Sequence, residues 1–321
     1  MTKENLRIVF LGTPDFAVES LRRIIGEGYN VVGVVTMPDK QAGRGHKMIQ
    51  SPVKQFAVEH GLFLMQPPNL KDPAFIEQLQ SLRADLFVVI AFRMLPEAVW
   101  SMPPLGTFNL HGSLLPRYRG AAPINRAIMN GDSETGVTTF FLKHEIDTGD
   151  IIDRRAISVG PDENAGSVHD RLMELGAELT LDTLAHILQG DLTPMPQDQL
   201  PDASETSNAP KIFKEDCRID WNRPARSVHN HIRGLSPYPG AWTTIECEGN
   251  PPSEIKILAS AVASETSACG TPGQISTAGG RLTVCCALGQ IEVLEVQPAG
   301  KRRMAAADWL RGARLQNASL N

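Results

Sequence analysis

The 321-residue chain has no apolar stretch near the roughly 20 residues that a membrane-spanning helix requires. Its apolar run before Thr13 is too short for the core of a secretory signal. The expectation is a cytoplasmic protein with no membrane partner. Cysteine is scarce: Cys217, Cys247, Cys269, Cys285 and Cys286 make an odd set of five without a CxxC spacing. They read as reduced thiols and not as a disulfide framework or a zinc site, so no metal is expected.

Nucleotide-binding glycine loops are missing too. The turn after the first apolar run, LGTPDFAVES, holds one glycine and a proline where a dinucleotide site needs G-x-G-x-x-G. That argues against a nicotinamide enzyme. No G-x-x-x-x-G-K-[ST] loop occurs, and GRGHK (Gly43 to Lys47) is glycine-rich and basic but lacks that spacing. No internal repeat of useful length is visible.

What is present is ordinary for a globular chain, with 42% hydrophobic and 21% charged residues. The length exceeds one typical core, so two domains are expected. Net charge is −5, divided as −8 over residues 1–206 and +3 from Ser207 onward. The basic excess reads either as contact with an anionic partner or as chance.

Strand and helix patterns alternate through the first half. Strands are expected at Arg7 to Gly12, Asn30 to Thr36, Leu86 to Phe92 and Gly106 to His111. A helix is expected from Phe16 to Glu27, and Ser51-Pro52 and Asp72-Pro73 each read as an N-cap followed by a first-turn proline. Those two helices should run to about Glu59 and Ser81. A helix after Pro123, a strand pair at Gly136 to Leu142 and Asp150 to Ile157, and a long helix from Ala165 to Gln189 follow. This alternation predicts a doubly wound, mostly parallel α/β sheet, whose ligands bind at the carboxyl ends of strands.

The segment Thr193 to Pro210 is rich in Pro, Ser, Thr, Asn and Asp and reads as an exposed linker. Beyond it, AWTTIEC, EIKILAS, GQIST, RLTVCCAL and QIEVLEVQP predict short strands of a small OB-like β-barrel. The expected domains are 1–192, a linker at 193–210, and 211–321.

The stretch FNLHGSLLPRYRG (108–120) sets Asn109 and His111 on alternate positions of a strand, with Ser113 in phase and a turn at Pro116. Polar groups facing one way are costly to bury without partners. They form either a satisfied polar cluster or the rim of a reaction site. Downstream, Asp147 in EIDTGD lies on a tight turn. A carboxylate there could hold His111 in one tautomer and stabilise its protonated form, with Asn109 donating toward a developing oxyanion.

The run FNLHGSLLPRYRGAAPINRAIMNGDSETGVTTFFLKHEIDTGDII resembles the core of the folate-dependent formyltransferases, with Asn-x-His-x-Ser-x-x-Pro followed by an Asp-x-Gly segment. The resemblance implies a formyltransferase-type Rossmann-like domain, with Asn109, His111 and Asp147 as the catalytic trio. It places Ser113, Leu114, Leu115 and Pro116 at the folate site and makes 10-formyltetrahydrofolate the formyl donor. IVFLGTPDFAVESL, TMPDKQAGRGHKMIQSPVK, KIFKEDCRIDW and GKRRMAAADWLRGARL resemble the family members that act on initiator methionyl-tRNA. Members acting on glycinamide ribonucleotide end near the long helix, whereas this chain continues for more than 100 residues.

Lys40, Arg44 and Lys47 in the glycine-bearing insert, and Lys301, Arg302 and Arg303 near the end, are the expected tRNA contacts, Arg44 at the acceptor end. A monomer is expected. Two other readings stay open: a formyltransferase acting on a nucleotide sugar, and an RNA-binding protein with an inactive formyltransferase domain. One departure stands out. Where the family commonly has Ala-Tyr-Gly, this chain has Ala91-Phe92-Arg93, beside the expected folate pocket.

Overall fold

The computed structural model describes all residues except 43–46, 248–249, 267–268, 314 and 316–317. The chain divides into two compact units. One comprises Met1–Gly120, Gly136–Ile157 and His169–Asn208; the other comprises Ala121–Thr135, Ser158–Val168 and Ala209–Asn321.

The elements through residue 189 are β1 (Arg7–Gly12), α1 (Asp15–Gly26), β2 (Asn30–Val35), β3 (Lys40–Ala42), β4 (Lys47–Ile49), α2 (Pro52–Glu59), β5 (Leu64–Met65), α3 (Pro73–Ser81), β6 (Leu86–Ile90), α4 (Glu97–Trp100), β7 (Thr107–His111), α5 (Pro123–Asn130), β8 (Glu134–Phe141), β9 (Ile151–Ser158) and α6 (Ala165–Gln189). Both expected caps form: the Ser51 side chain accepts from the Lys54 N–H, and that of Asp72 from the Ala74 N–H. Each satisfies an otherwise orphaned helix donor. The prolines that follow lack the donor a helix start leaves unused.

The first sheet has the order β5-β2-β1-β6-β7-β8-β9. Its pairs from β5 to β7 are parallel, and β8 runs antiparallel to β7. The chain winds outward through β2 and β5, then returns to the other side of β1 with β6 and β7. The order therefore reverses between β1 and β6, where open α/β sheets form their binding crevice. Both faces are covered. Val9, Leu11, Phe87 and Val89 share a buried cluster with Phe75 and Leu79 of α3 and Val99 of α4. In alternate register, Gly12 lies against Ala17 of α1 and Leu110 against Gly176 of α6, where an added Cβ would come within 2.7 Å of its neighbour.

The second unit contains α7 (Ala225–Gly234), β10 (Ala241–Cys247), β11 (Asn250–Ser264), β12 (Ile275–Ser276), β13 (Leu282–Cys285), β14 (Gln290–Pro298), β15 (Met304–Ala305), α8 (Ala306–Leu310) and β16 (Ser319–Leu320). The sheet runs β12-β13-β14-β11-β10-β16, with antiparallel pairing throughout. A bridge between Gln274 and Ser319 brings its two edges together, so the sheet is a nearly closed barrel. Ile255, Ile257, Val284, Ile291, Val293 and Val296 fill it, and Val228 and Ile232 of α7 pack against them.

The structure adds to three expectations. Helix α5 and residues 158–168, which precede the expected boundary at 192, group with the second unit, where α5 packs on α7. The segment 193–210 is not an exposed linker. Leu200 is buried with Leu115, Phe140 and Ile151, Met195 bridges Ile151, and Ser207 and Asn208 pair with Tyr118 and Arg119. Its polar composition serves hydrogen bonds to a neighbouring loop, which a composition reading takes for solvation. Cys269 and Cys285, expected as thiols, lie side by side with Cα atoms 5.7 Å apart. Backbone pairing of Gly273 and Gln274 with Cys285 brings the two together, a proximity that their spacing in sequence does not reveal. Among the described residues, no helix is long and apolar enough to cross a membrane.

Candidate active site

Asn109 and His111 occupy the third and last positions of β7, with Asn109 paired to Val89 of β6 and Phe140 of β8. Strand alternation sends both side chains to one face, as the sequence spacing predicts. The chain then turns, so Ser113 lies beyond the strand.

The His111 ring is 6% exposed. Its Nε2 lies 2.9 Å from the Tyr118 carbonyl oxygen. A carbonyl can only accept, so this contact assigns the proton to Nε2 and leaves Nδ1 as the basic nitrogen. Nδ1 lies 3.8 Å from Oδ2 of Asp147. That same carboxylate oxygen accepts the Gly120 N–H at 2.8 Å. The trio expected from the sequence is thus gathered at the carboxyl end of β7.

Backbone strain clusters here. Among the described residues, Arg83, Ala91, Tyr118 and Asp147 are the non-glycine residues with positive φ. Ala91 follows β6, Tyr118 supplies the carbonyl for His111, and Asp147 is the carboxylate itself. Such conformations persist only where the surroundings hold them, and they concentrate at functional sites. Gly149 makes the Asp147 turn possible, because a Cβ there would sit 1.6 Å from the Phe141 carbonyl oxygen.

Three buried polar atoms without partners mark the carboxyl ends of adjacent strands: Thr13 Oγ1 after β1, Arg93 Nε after β6, and Asn109 Oδ1 on β7. Unmet polar groups are costly in a folded interior, and a bound polar molecule would relieve them. Arg93 uses its other nitrogens on the turn after β5. Nη1 donates to the Pro68 carbonyl at 2.9 Å, and Nη2 donates to that of Pro67. Burial holds its guanidinium below the ordinary arginine range. Arg93 therefore anchors the loop after β6 to a neighbouring turn.

The remaining expected residues are placed as follows. Ser113 is fully buried, and its hydroxyl donates to the Arg117 carbonyl at 2.6 Å. Leu115 and Pro116 are buried, and Leu114 is partly exposed. The Thr138 hydroxyl braces this loop, donating to the Ser113 carbonyl at 2.6 Å and accepting from the Leu115 N–H at 3.1 Å. Lys40 is exposed, Lys47 opens β4, and Arg44 lies outside the described residues. Asp39, the acid beside this insert, pairs with Lys54 at 2.6 Å and accepts from Gln66, which lowers its pKa. Lys301, Arg302 and Arg303 are exposed between β14 and β15, and Arg303 pairs with Glu295. The sequence reading missed the Tyr118 carbonyl and the Gly120 N–H, because backbone groups leave no trace in residue type.

A family model described as formyl transferase matches residues 6–184, and one described as formyl transferase, C-terminal domain, matches residues 211–314. Curated relatives named methionyl-tRNA formyltransferase include that of Bacteroides fragilis, 54% identical over 322 residues, covering 99% of this chain and 98% of the relative. That of Porphyromonas gingivalis is 48% identical over 318 residues, covering 99% and 98%. Among solved structures, the N-formyltransferase from Helicobacter canadensis in complex with folinic acid and dTDP-3-aminofucose has a TM-score of 0.66 at 19% identity, covering 93% of this chain and 100% of that one. HypX from Aquifex aeolicus in complex with tetrahydrofolic acid has a TM-score of 0.64 at 20% identity, covering 97% and 48%. At that identity the two structures speak for the fold alone. The two domain models fall in order along the chain and the relatives are about half identical over nearly all of it, so this protein belongs to the formyl transferase family.

Proposed function

We propose that this chain transfers a formyl group from 10-formyltetrahydrofolate to the α-amino group of methionine on initiator methionyl-tRNA. The observation that carries the reading is His111, whose Nε2–H is held by the Tyr118 carbonyl while Nδ1 stands free beside the Asp147 carboxylate. When Nδ1 also carries a proton it is a donor toward the site, and the Asn109 amide supplies a second donor on the same strand face.

When bound, the folate would supply a formyl carbon open to attack by the methionine amine; the new C–N bond would form as the bond from the formyl carbon to N10 breaks, with the proton lost by the amine ending on N10. Asn109 and His111 Nδ1–H stabilise the negative charge that grows on the formyl oxygen, the role of preorganised oxyanion donors. Asp147, 3.8 Å from Nδ1, orients the His111 ring, and its own carboxylate is fixed by the Gly120 N–H. The unpartnered Thr13 Oγ1 and Arg93 Nε support a polar ligand bound at the strand ends. The loop 113–116 serves as a rigid rim, with Leu114 the part of it that offers side-chain surface. Lys40, Arg44, Lys47, Lys301, Arg302 and Arg303 provide phosphate contacts for the tRNA.

The test is a formyl-transfer assay with 10-formyltetrahydrofolate and four acceptors: charged initiator tRNA, charged elongator tRNA, free methionine and a dTDP-amino sugar. Charged initiator tRNA should be formylated far faster than the rest. Formylation of the amino sugar with none on tRNA would overturn the reading.

A further inference from the structure

The segment 193–210 has its one strongly buried polar side chain at Gln197, which is 4% exposed and opens a short 3-10 turn, Gln197–Gln199. Nε2 of Gln197 donates to the Asp147 carbonyl at 2.8 Å and to the Gly149 carbonyl at 2.9 Å. Its Oε1 accepts from Arg119 Nε at 3.1 Å and Arg119 Nη2 at 2.6 Å. The amide orientation is forced, because carbonyls only accept and a guanidinium only donates. Both donors and the acceptor are in use.

Each partner lies next to a group that touches His111. Arg119 follows Tyr118, whose carbonyl takes the Nε2 proton, and it precedes Gly120, whose N–H fixes the Asp147 carboxylate. The other two carbonyls belong to the turn that carries Asp147 at φ 55°. Aspartate tolerates this left-handed conformation better than most residues, and Thr148 Oγ1 braces the turn locally by donating to the Glu145 carbonyl at 3.0 Å; the Gln197 bonds fix where the turn sits against the 118–120 loop. Arg119 is itself held, its N–H donating to the Ser207 carbonyl at 2.9 Å.

We propose that Gln197 is a positioning residue of the reaction, one carboxamide that sets the two sides of His111 relative to each other. The inference rests on the catalytic reading of His111 and Asp147. Gln197 acts through Asp147, so its effect belongs in turnover and not in the binding of either substrate.

The experiment measures kcat and KM for both substrates in Gln197→Met, Gln197→Glu, Asp147→Asn and the Gln197→Met/Asp147→Asn double variant, with folding checked by circular dichroism. Gln197→Met removes all four bonds. Gln197→Glu keeps an acceptor for Arg119, loses both donors, and stands in for the Met variant should that one fail to fold. Misplacement by about 1 Å can cost about 100-fold in rate, so a fall in kcat of about 10- to 100-fold is expected, with each KM within about twofold. In the Asp147→Asn background the same substitution should cost less than about twofold, because residues acting as a unit are not additive. An unchanged kcat in the Gln197 variants, or a full multiplicative loss in the double variant, would overturn the inference alone. Normal turnover in Asp147→Asn would instead overturn the catalytic reading beneath it.

Discussion

Two histidines in this chain lie almost wholly out of solvent beside an aspartate, one in each unit. His111 ends β7, and His229 sits on α7 with 1% exposure. Nδ1 of His229 is 3.0 Å from Ser260 Oγ, and Nε2 is 3.3 Å from the Pro161 carbonyl and 3.2 Å from Asp162 Oδ1. With the proton on Nε2 and the Ser260 hydroxyl donating to Nδ1, both ring nitrogens are satisfied in the neutral state. Burial pushes the His229 pKa down, outweighing the opposing pull of Asp162, which is itself mostly exposed. His111 has one nitrogen satisfied and the other facing a partly buried carboxylate beyond hydrogen-bond distance. A complete set of partners holds a histidine still. An incomplete set beside a fixed charge leaves a nitrogen for chemistry.

The sharpest way to break this contrast is to alter each pair and read turnover. Asp147→Asn keeps shape and removes charge, so kcat should fall by about 100- to 10,000-fold, the usual range for acid-base groups. His229→Gln should leave kcat within about twofold of the parent. Comparable losses in the two variants would erase the distinction.

Gly149→Ala probes the same turn through sterics. The added Cβ meets the Phe141 carbonyl oxygen, so the turn must shift and carry Asp147 with it. Turnover should drop about 100-fold while thermal unfolding of the core stays cooperative.

A smaller effect is expected from pH. Because the folded state disfavours protonated His229, the unfolded chain binds more protons as pH falls below about 6.5, the ordinary histidine value. The stability that neutral His229 provides is complete above that pH and is lost as pH drops toward its lowered folded value. His231 shifts in the same direction through burial, so the comparison must be with a variant. Urea midpoints between pH 7.5 and 5.5 should fall less steeply in His229→Gln than in the parent.

The smallest effects concern the barrel surface. Among the described residues, Lys301 and Arg302 have no ion-pair partner, whereas Arg303 pairs with Glu295. Lys301→Glu and Arg302→Glu should each weaken tRNA binding and reduce the salt slope by about 1. Filter-binding titrations across salt concentrations give both quantities, and an unchanged slope would remove these residues from the tRNA surface.

Much of this was legible because local chemistry decides it. Ser51-Pro52 and Asp72-Pro73 start helices through caps that the adjacent residues supply. Buried strands such as RIVFLG read directly from their apolar runs, and QIEVLEVQP from its alternation. Asn109 and His111 share a face because alternation on a strand leaves no other outcome. What stayed hidden depends on distant partners. Gln197 and Ser207 look like solvated linker residues until the loop at 118–120 is brought to them. Tyr118 and Gly120 act through backbone atoms, which every residue type shares. Helix α5 precedes β8 in sequence yet groups with the second unit through its packing on α7, a long-range contact that composition does not encode.

The central claim is that the His111–Asp147 pair performs formyl transfer to charged tRNA. Its most direct test is single-turnover formylation of initiator methionyl-tRNA by the parent and by Asp147→Asn, both saturated with 10-formyltetrahydrofolate and tRNA, with N-formylmethionine quantified by mass spectrometry. The account predicts rapid formation of one formyl group per active site in the parent and a rate at least about 100-fold lower in the variant, at equal tRNA binding. Equal single-turnover rates in two folded, tRNA-binding proteins would contradict it.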